Sequence, residues 1–346
     1  GCTGRVADPG WRRGRTFLRE SPAAESGGGY RDAVTQVTLD VLHHATADEA
    51  TRFFAETDAE ALVEALRHTG DDELRALVGR DEIRLPAVRG VLSRLHEYAD
   101  RDRLADLTGT VRIDLTRDDA RLGHHLLRIG SGSITVEADV PATAASDVVL
   151  GTSVIGFVRL VSGQGNAALD YLAGRLHVEG DAALALAVGG LFTIPGTDEV
   201  AVDPTALDPV DVARALAGVS TEHLREVMSG GFRPVVLEEI FRRLPDFVNP
   251  RRSAKADLTV GFRLLGGPGA EPERYVVRVD HGACKVEPGD VGGDRDATIT
   301  CEGYDFLRLA TGHLSAVTGV LRGQLKVRGE KAKALQLASV LDIPKA

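Results

Sequence analysis

Polar and apolar positions along the chain fall into two periods. Val111, Ile113 and Leu115 alternate with Arg112 and Asp114, Ile134 and Val136 with Thr135 and Glu137, and Leu325 and Val327 with Lys326 and Arg328. A period of two predicts strands with one buried and one wet face. Elsewhere apolar residues recur three or four apart, as in Phe157 with Leu160 and Val161 or Phe306 with Leu309, and predict helices over 153–162 and 302–311. Thr46 with Glu49 reads as a capping box opening a helical segment to about Arg67, and another helix is predicted over 236–247. Asn166 and Ser315 are expected N-caps, and Gly163 and Gly312 before them suit helix ends that need a positive φ. Strands wet on one face suit a largely antiparallel sheet under helices. A doubly wound parallel sheet would have strands apolar on both faces. The expected class is α+β.

The pattern occurs twice. A shift of 149 places lays Asp147, Phe157, Arg159, Leu160, Gly163, Leu172, Gly174, Leu176, Val178 and Gly180 on identical residues from Asp296 to Gly329. Counted over 147–195 there are 16 identities in 49 ungapped positions, which marks a duplication. Farther upstream, a shift of 150 matches Leu66, Leu74 and Arg75 to Leu216, Leu224 and Arg225. Copy one is expected over about 60–196 and copy two over about 208–346, each with a helical front and a mixed back, joined through the proline- and acid-rich 198–209. The corresponding domains are 33–196, with the N-terminal helices, and 208–346. Residues 1–32, rich in Arg, Gly, Pro and Ser without apolar periodicity, are expected to be a disordered tail.

The last helices of the copies differ. In copy one Ala182–Phe192 is apolar nearly all round, whereas copy two has Lys331, Lys333 and Gln336 on one side. An all-apolar helix needs cover on two sides. Copy one's is therefore expected to be covered by the other copy, the front helices or a partner subunit.

Composition narrows the partners. The 346 residues carry a formal net charge of -10, so a basic surface able to grip nucleic acid or an anionic membrane is not expected. Three cysteines in a long chain are the usage of a reducing compartment, read as the cytoplasm. The longest apolar stretch, Ala182–Phe192, is too short to span a bilayer, and no hydrophobic signal segment is seen. A ratio of 35 Arg to 6 Lys suggests a GC-rich, most simply bacterial, genome.

Candidate chemistry is sparse. His43-His44 and His124-His125 are adjacent pairs whose side chains do not face one site, so no metal site is expected. Cys284 and Cys301 read as core cysteines. Gly163-Gln164-Gly165-Asn166-Ala167-Ala168 fits a dinucleotide fingerprint, but copy two has Leu314 in place of the second glycine and Arg328 where Glu179 would bind a ribose. No nucleotide or other cofactor is expected. What is duplicated is apolar: Phe157, Leu160, Val161, Leu172, Leu186, Val188, Leu191 and Phe192, matched by Phe306, Leu309, Leu321, Leu335, Leu337, Val340 and Leu341. Such a set makes an ordinary core or the wall of a hydrophobic tunnel.

The run from Phe306 to Gly312, the glycine-bracketed stretch Leu321–Gly329 and the helix from Glu330 to Leu341 resemble the C-terminal half of the sterol carrier protein type 2 domain, also called the nonspecific lipid-transfer or sterol-binding domain. Copy one repeats them at 157–163, 172–180 and 181–192. With the upstream strands the resemblance covers about 105–195 and 255–345. It implies a five-stranded sheet under helices, enclosing a cavity for a sterol, fatty acid, fatty acyl-CoA or phospholipid. The implied work is lipid binding and transfer without covalent chemistry. The duplicated apolar residues become its lipid-binding candidates, with transient membrane contact and a homodimer or accessory partner as further expectations. Ile343-Pro344-Lys345-Ala346 is not a peroxisomal address of the Ser-Lys-Leu type.

Three functional classes follow. A lipid carrier predicts a continuous cavity in at least one copy. A protein-interaction or accessory module predicts filled cores and an exposed apolar patch. An enzyme predicts perturbed titratable groups converging in a cleft, and no such set is visible.

Overall fold

The computed structural model describes residues 37–117, 120–197, 200–290 and 292–344. The expected tail over 1–32 lies outside the described residues.

Both copies form a five-stranded sheet of one topology. Copy one contains β1 (Gly109–Arg117), β2 (Ala120–Gly130), β3 (Ser133–Glu137), β4 (Val148–Ser153) and β5 (His177–Gly180), in the order β3-β2-β1-β4-β5. Copy two repeats this with β6 (Asp257–Leu265), β7 (Glu273–Asp280), β8 (Ala283–Pro288), β9 (Ala297–Glu302) and β10 (Lys326–Gly329), ordered β8-β7-β6-β9-β10. The sheets are mixed. Three pairings in each are antiparallel, while β1 runs parallel to β4 and β6 to β9.

Duplicated residues hold the parallel pair. The Asp147 carboxylate accepts hydrogen bonds from the backbone N–H and hydroxyl of Thr110, which keep its pKa below the usual carboxylate value. Asp296 accepts from the Thr259 backbone in the same place. Gly180 and Gly329 close the edge strands at φ of 96° and 90°, where a Cβ would fall 2.1 Å from the Asp147 carbonyl oxygen and 2.4 Å from that of Asp296. Only glycine fits there.

Helices cover one face of each sheet. Copy one is fronted by α1 (Ala47–Glu56), α2 (Ala59–His68), α3 (Asp71–Val78), α4 (Asp81–Arg94) and α5 (Arg101–Asp106), and carries α6 (Val154–Val161), α7 (Ala167–Leu172) and α8 (Ala182–Gly189). Copy two has α9 (Pro209–Ala215), α10 (Thr221–Ser229), α11 (Arg233–Arg243) and α12 (Pro250–Ser253) in front, then α13 (Gly303–Ala310), α14 (Ala316–Leu321) and α15 (Lys331–Val340). The capping box at Thr46 and Glu49 forms, as do the N-caps at Asn166 and Ser315, and Gly163 and Gly312 take φ of 72° and 78°. The segment expected to run from Thr46 to Arg67 breaks, because Asp58 accepts a bond from the Ala61 N–H and caps a new helix. Among the described residues no helix is long and apolar enough to cross a membrane.

Inward residues of β1, Val111, Ile113 and Leu115, join Phe157 of α6, Leu184 and Val188 of α8 and Leu92 of α4 in the core of copy one. In copy two Val260, Phe262 and Leu264 join Phe306, Leu337 and Phe241 in the same way. Leu172 crosses over: it ends α7 of copy one but packs into the core of copy two.

Candidate functional site

One cavity of about 450 Å³ stands out, and its wall is almost wholly apolar. Its floor is the inner face of the first sheet, at Val111, Ile113, Leu127, Leu150 and Thr152. The alternation that predicted these strands puts the apolar set on one side, leaving Arg112 and Asp114 on the other, paired at 2.8 Å. Phe157, Leu160 and Val161 of α6 and Leu172 of α7 form one flank, and Leu62, Val63 and Leu66 of α2 also contribute. The facing wall belongs to copy two: Val235, Val236 and Ile240 of α11, with Phe262, Phe306 and Leu309. Ala201, Val202, Pro204 and Leu207 of the connecting segment complete it.

The last helix of copy one borders this space. Leu184 and Val188 of α8 are buried, and Leu184 presses on the backbone of Gly109. Ala185, Leu186 and Gly189 line the cavity. Val202 of the connecting segment lies against Gly189, and Gly231 of copy two is so near Ala182 that a Cβ there would come within 2.7 Å of the alanine Cβ. The second side of the all-apolar helix thus meets copy two, the connecting segment and the cavity.

The copies lock together at the cavity edge. Tyr171 meets Phe232 at a tilt of 57° with centroids 4.8 Å apart, and the His223 imidazole bonds the Tyr171 carbonyl at 3.0 Å. Burial raises the Tyr171 pKa, which keeps the phenol neutral.

Charge at the wall is matched. Arg94 donates to Glu97 and to the Thr57 carbonyl, and Arg243 to Glu239 and to the carbonyls of Thr205 and Leu207. Hydrogen bonding from Arg242 holds the Glu239 carboxyl below the usual range, so the pair is ionised at neutral pH. The arrangement can enclose a hydrophobic molecule. Among the described cavity residues no nucleophile–base pair forms.

Of the residues predicted from sequence, the cavity brings together Phe157, Leu160, Val161, Leu172, Leu186, Val188 and Phe192 with Phe306, Leu309 and Leu341. Leu191 is fully buried in the core of copy one, and Leu337 and Val340 in that of copy two. Leu335 is half-buried, and Leu321 is 81% exposed. The α11 wall and the connecting segment were not foreseen as lining. The available signal was the apolar stripe Val235, Val236 and Ile240, but its facing partner is about 80 residues or more away in the chain.

Other sequence readings also find their places. Arg159 is a strut, bonding Asp71 and the carbonyls of Leu66 and Thr69, while Arg308 faces Asp305 at 3.5 Å. Cys284 on β8 is half-buried and Cys301 on β9 is buried, with β7 and β6 between them. Burial pushes their thiols up to about 11 and about 12. The fingerprint glycines end α6, and the strand after them is an antiparallel edge. Asp40, His43 and Glu73 bring possible ligand atoms within 4.8 Å of one another on the surface, a grouping of exposed groups common without an ion.

A family model described as the SCP-2 sterol transfer family matches residues 90–193 and 237–342. Sterol carrier protein 2 of Gallus gallus is 29% identical over 125 residues, which is 36% of this chain and 22% of that protein. Sterol carrier protein 2 of Homo sapiens is 30% identical over 113 residues, 32% of this chain and 20% of that protein. The chain spans about a fifth of the length of these curated relatives. The solved apo form of sterol carrier protein 2 from Yarrowia lipolytica is 23% identical, with a TM-score of 0.27 over 34% of this chain and 98% of that one.

Proposed function

Because the chain belongs to the SCP-2 sterol transfer family, we propose that it binds a hydrophobic lipid in the cavity above the first sheet and transfers it without covalent chemistry. The family supports a lipid-binding role in general. The observation that carries the particular reading is the continuous apolar cavity. Its roughly 450 Å³ lies within the range of about 300 to 1,000 Å³ usual for small-molecule sites. Each methylene buried there contributes about 0.8 kcal/mol, enough for one acyl chain or sterol to offset the cost of association. Sterol, fatty acid, fatty acyl-CoA and phospholipid remain the candidate classes.

The test is native mass spectrometry of the purified protein, followed by organic extraction of whatever is bound. A co-purified lipid, or saturable uptake of a fluorescent fatty acid, supports the reading. Apo protein that takes up neither fatty acid nor sterol overturns it. The alternative, an accessory or protein-interaction module with a filled core, has one observation in its favour: the interior of copy two is packed with stacked aromatic rings.

A further inference from the structure

We infer that the two copies make one binding site between them, so that each chain carries a single elongated lipid seated on copy one and closed over by copy two. This rests on the lipid reading above and adds the stoichiometry and the residues that set ligand length.

The sheet surface under the cavity is that of copy one; from the second sheet, among the described residues, only Phe262, the equivalent of Ile113, reaches the wall. Strand register makes Val260, Val277 and Ile299 the copy-two equivalents of Val111, Leu127 and Leu150. Val260, Val277 and Ile299 are at most 6% exposed and form no part of the cavity wall. The same core holds a group of four rings. Phe241 stacks on Tyr275 at 3.8 Å and on Phe306 at 4.9 Å, and Phe262 meets Phe241 and Phe306 edge-on at 5.7 and 5.5 Å. The matching positions in copy one are Leu92, His125, Phe157 and Ile113, which leave room above the sheet. Copy two has thus given up an interior site and supplies a wall. Its α11 faces the copy-one floor through Val236 and Ile240, and Leu172 anchored in its core fixes that wall in place.

The test uses the full chain, titrated with oleic acid and separately with cholesterol and followed by native mass spectrometry. Saturation at one molecule per chain is expected. Ile240→Trp, on copy two, is expected to weaken binding about tenfold or more by filling the shared space. Should that variant melt abnormally, Val236→Ala with Ile240→Ala provides a second reading. Enlarging the wall is expected to shift preference toward longer acyl chains by about threefold. Two molecules per chain overturn the shared site and leave the lipid reading standing. So does an Ile240→Trp protein that folds and binds as before, or an enlarged wall without a change in chain-length preference. Failure of both probes to bind overturns the lipid reading and this inference with it.

Discussion

At the place where Phe241 stacks on Tyr275 in copy two, with centroids 3.8 Å apart, copy one has Leu92 and His125. The strand order, the parallel central pair and the pinning aspartate are the same in both. Duplication therefore preserved the frame and let the interior diverge. Two ring-for-aliphatic exchanges, Phe241 for Leu92 and Phe262 for Ile113, and one of tyrosine for histidine distinguish the packed aromatic core from the sheet under the cavity, without disturbing any strand.

The strongest way to break this comparison is to give copy two the interior of copy one. Phe241→Leu, Phe262→Ile and Tyr275→His together remove packed ring volume and are expected to cost about 3 to 5 kcal/mol in denaturant melts. The same protein should bind a second lipid by native mass spectrometry. The reciprocal Leu92→Phe with Ile113→Phe should close the cavity of copy one and abolish binding. Stoichiometry unchanged in both directions would show that the rings do not decide which copy is open.

A second contrast lies in the paired leucines that end the short helices. Leu172 is 6% exposed in the core of the neighbouring copy, and Leu321 is 81% exposed. Leu172→Ala is expected to destabilise by about 2 to 5 kcal/mol. Leu321→Ala should stay within about 0.5 kcal/mol of the parent. Equal losses at both positions would mean that copy two buries its short helix in solution as copy one does.

How much of this the sequence disclosed depends on the range of the interaction concerned. Gly180 and Gly329 were legible as repeat identities because a steric contact demands glycine in each copy, and Asp147 and Asp296 because one carboxylate holds one strand pair. Caps and strand faces are local and follow from spacing. The wall of the cavity is not local: α11 shares it with a sheet far earlier in the chain, and no periodicity announces that pairing. Leu172 and Leu321 are indistinguishable in sequence because the difference between them is the presence of a neighbour.

The third contrast is in titration. His125 is 3% exposed and its Nδ1 has no hydrogen-bond partner among the described residues; burial lowers its pKa below 6.5, with Asp139 opposing and Arg89 and His124 reinforcing the shift. Tyr275, at the equivalent position, is raised above 10.0 by burial and stays neutral. As pH falls below 6.5, the unfolded chain takes up a proton that folded His125 refuses. Stability contributed by the neutral imidazole is therefore complete above that pH and declines as the pH drops toward the folded pKa. The decline is at most about 1.4 kcal/mol per pH unit in that window. His125→Phe should flatten the melting temperature between pH 7 and pH 5 relative to the parent. An identical pH profile in the variant would assign the acid sensitivity to other groups.

The smallest expected effect concerns the matched arginines at the cavity wall. Arg243 and Glu239 have side chains only 16% and 18% exposed, whereas in copy one Arg94 is 21% exposed and its partner Glu97 40%. Removing a carboxylate leaves its arginine facing the cavity with less compensation, and the uncompensated charge attracts an anionic head group more strongly where solvent screens it less. Glu239→Gln is thus expected to raise affinity for oleate about threefold over oleyl alcohol, a difference of about 0.7 kcal/mol. Glu97→Gln should change that ratio by less than about twofold, since water reaches its pair. Displacement of a fluorescent fatty acid by each ligand measures both ratios. If Glu97→Gln gave the larger change, the head group would sit at the copy-one end of the cavity, and the α11 wall would contact only the hydrocarbon.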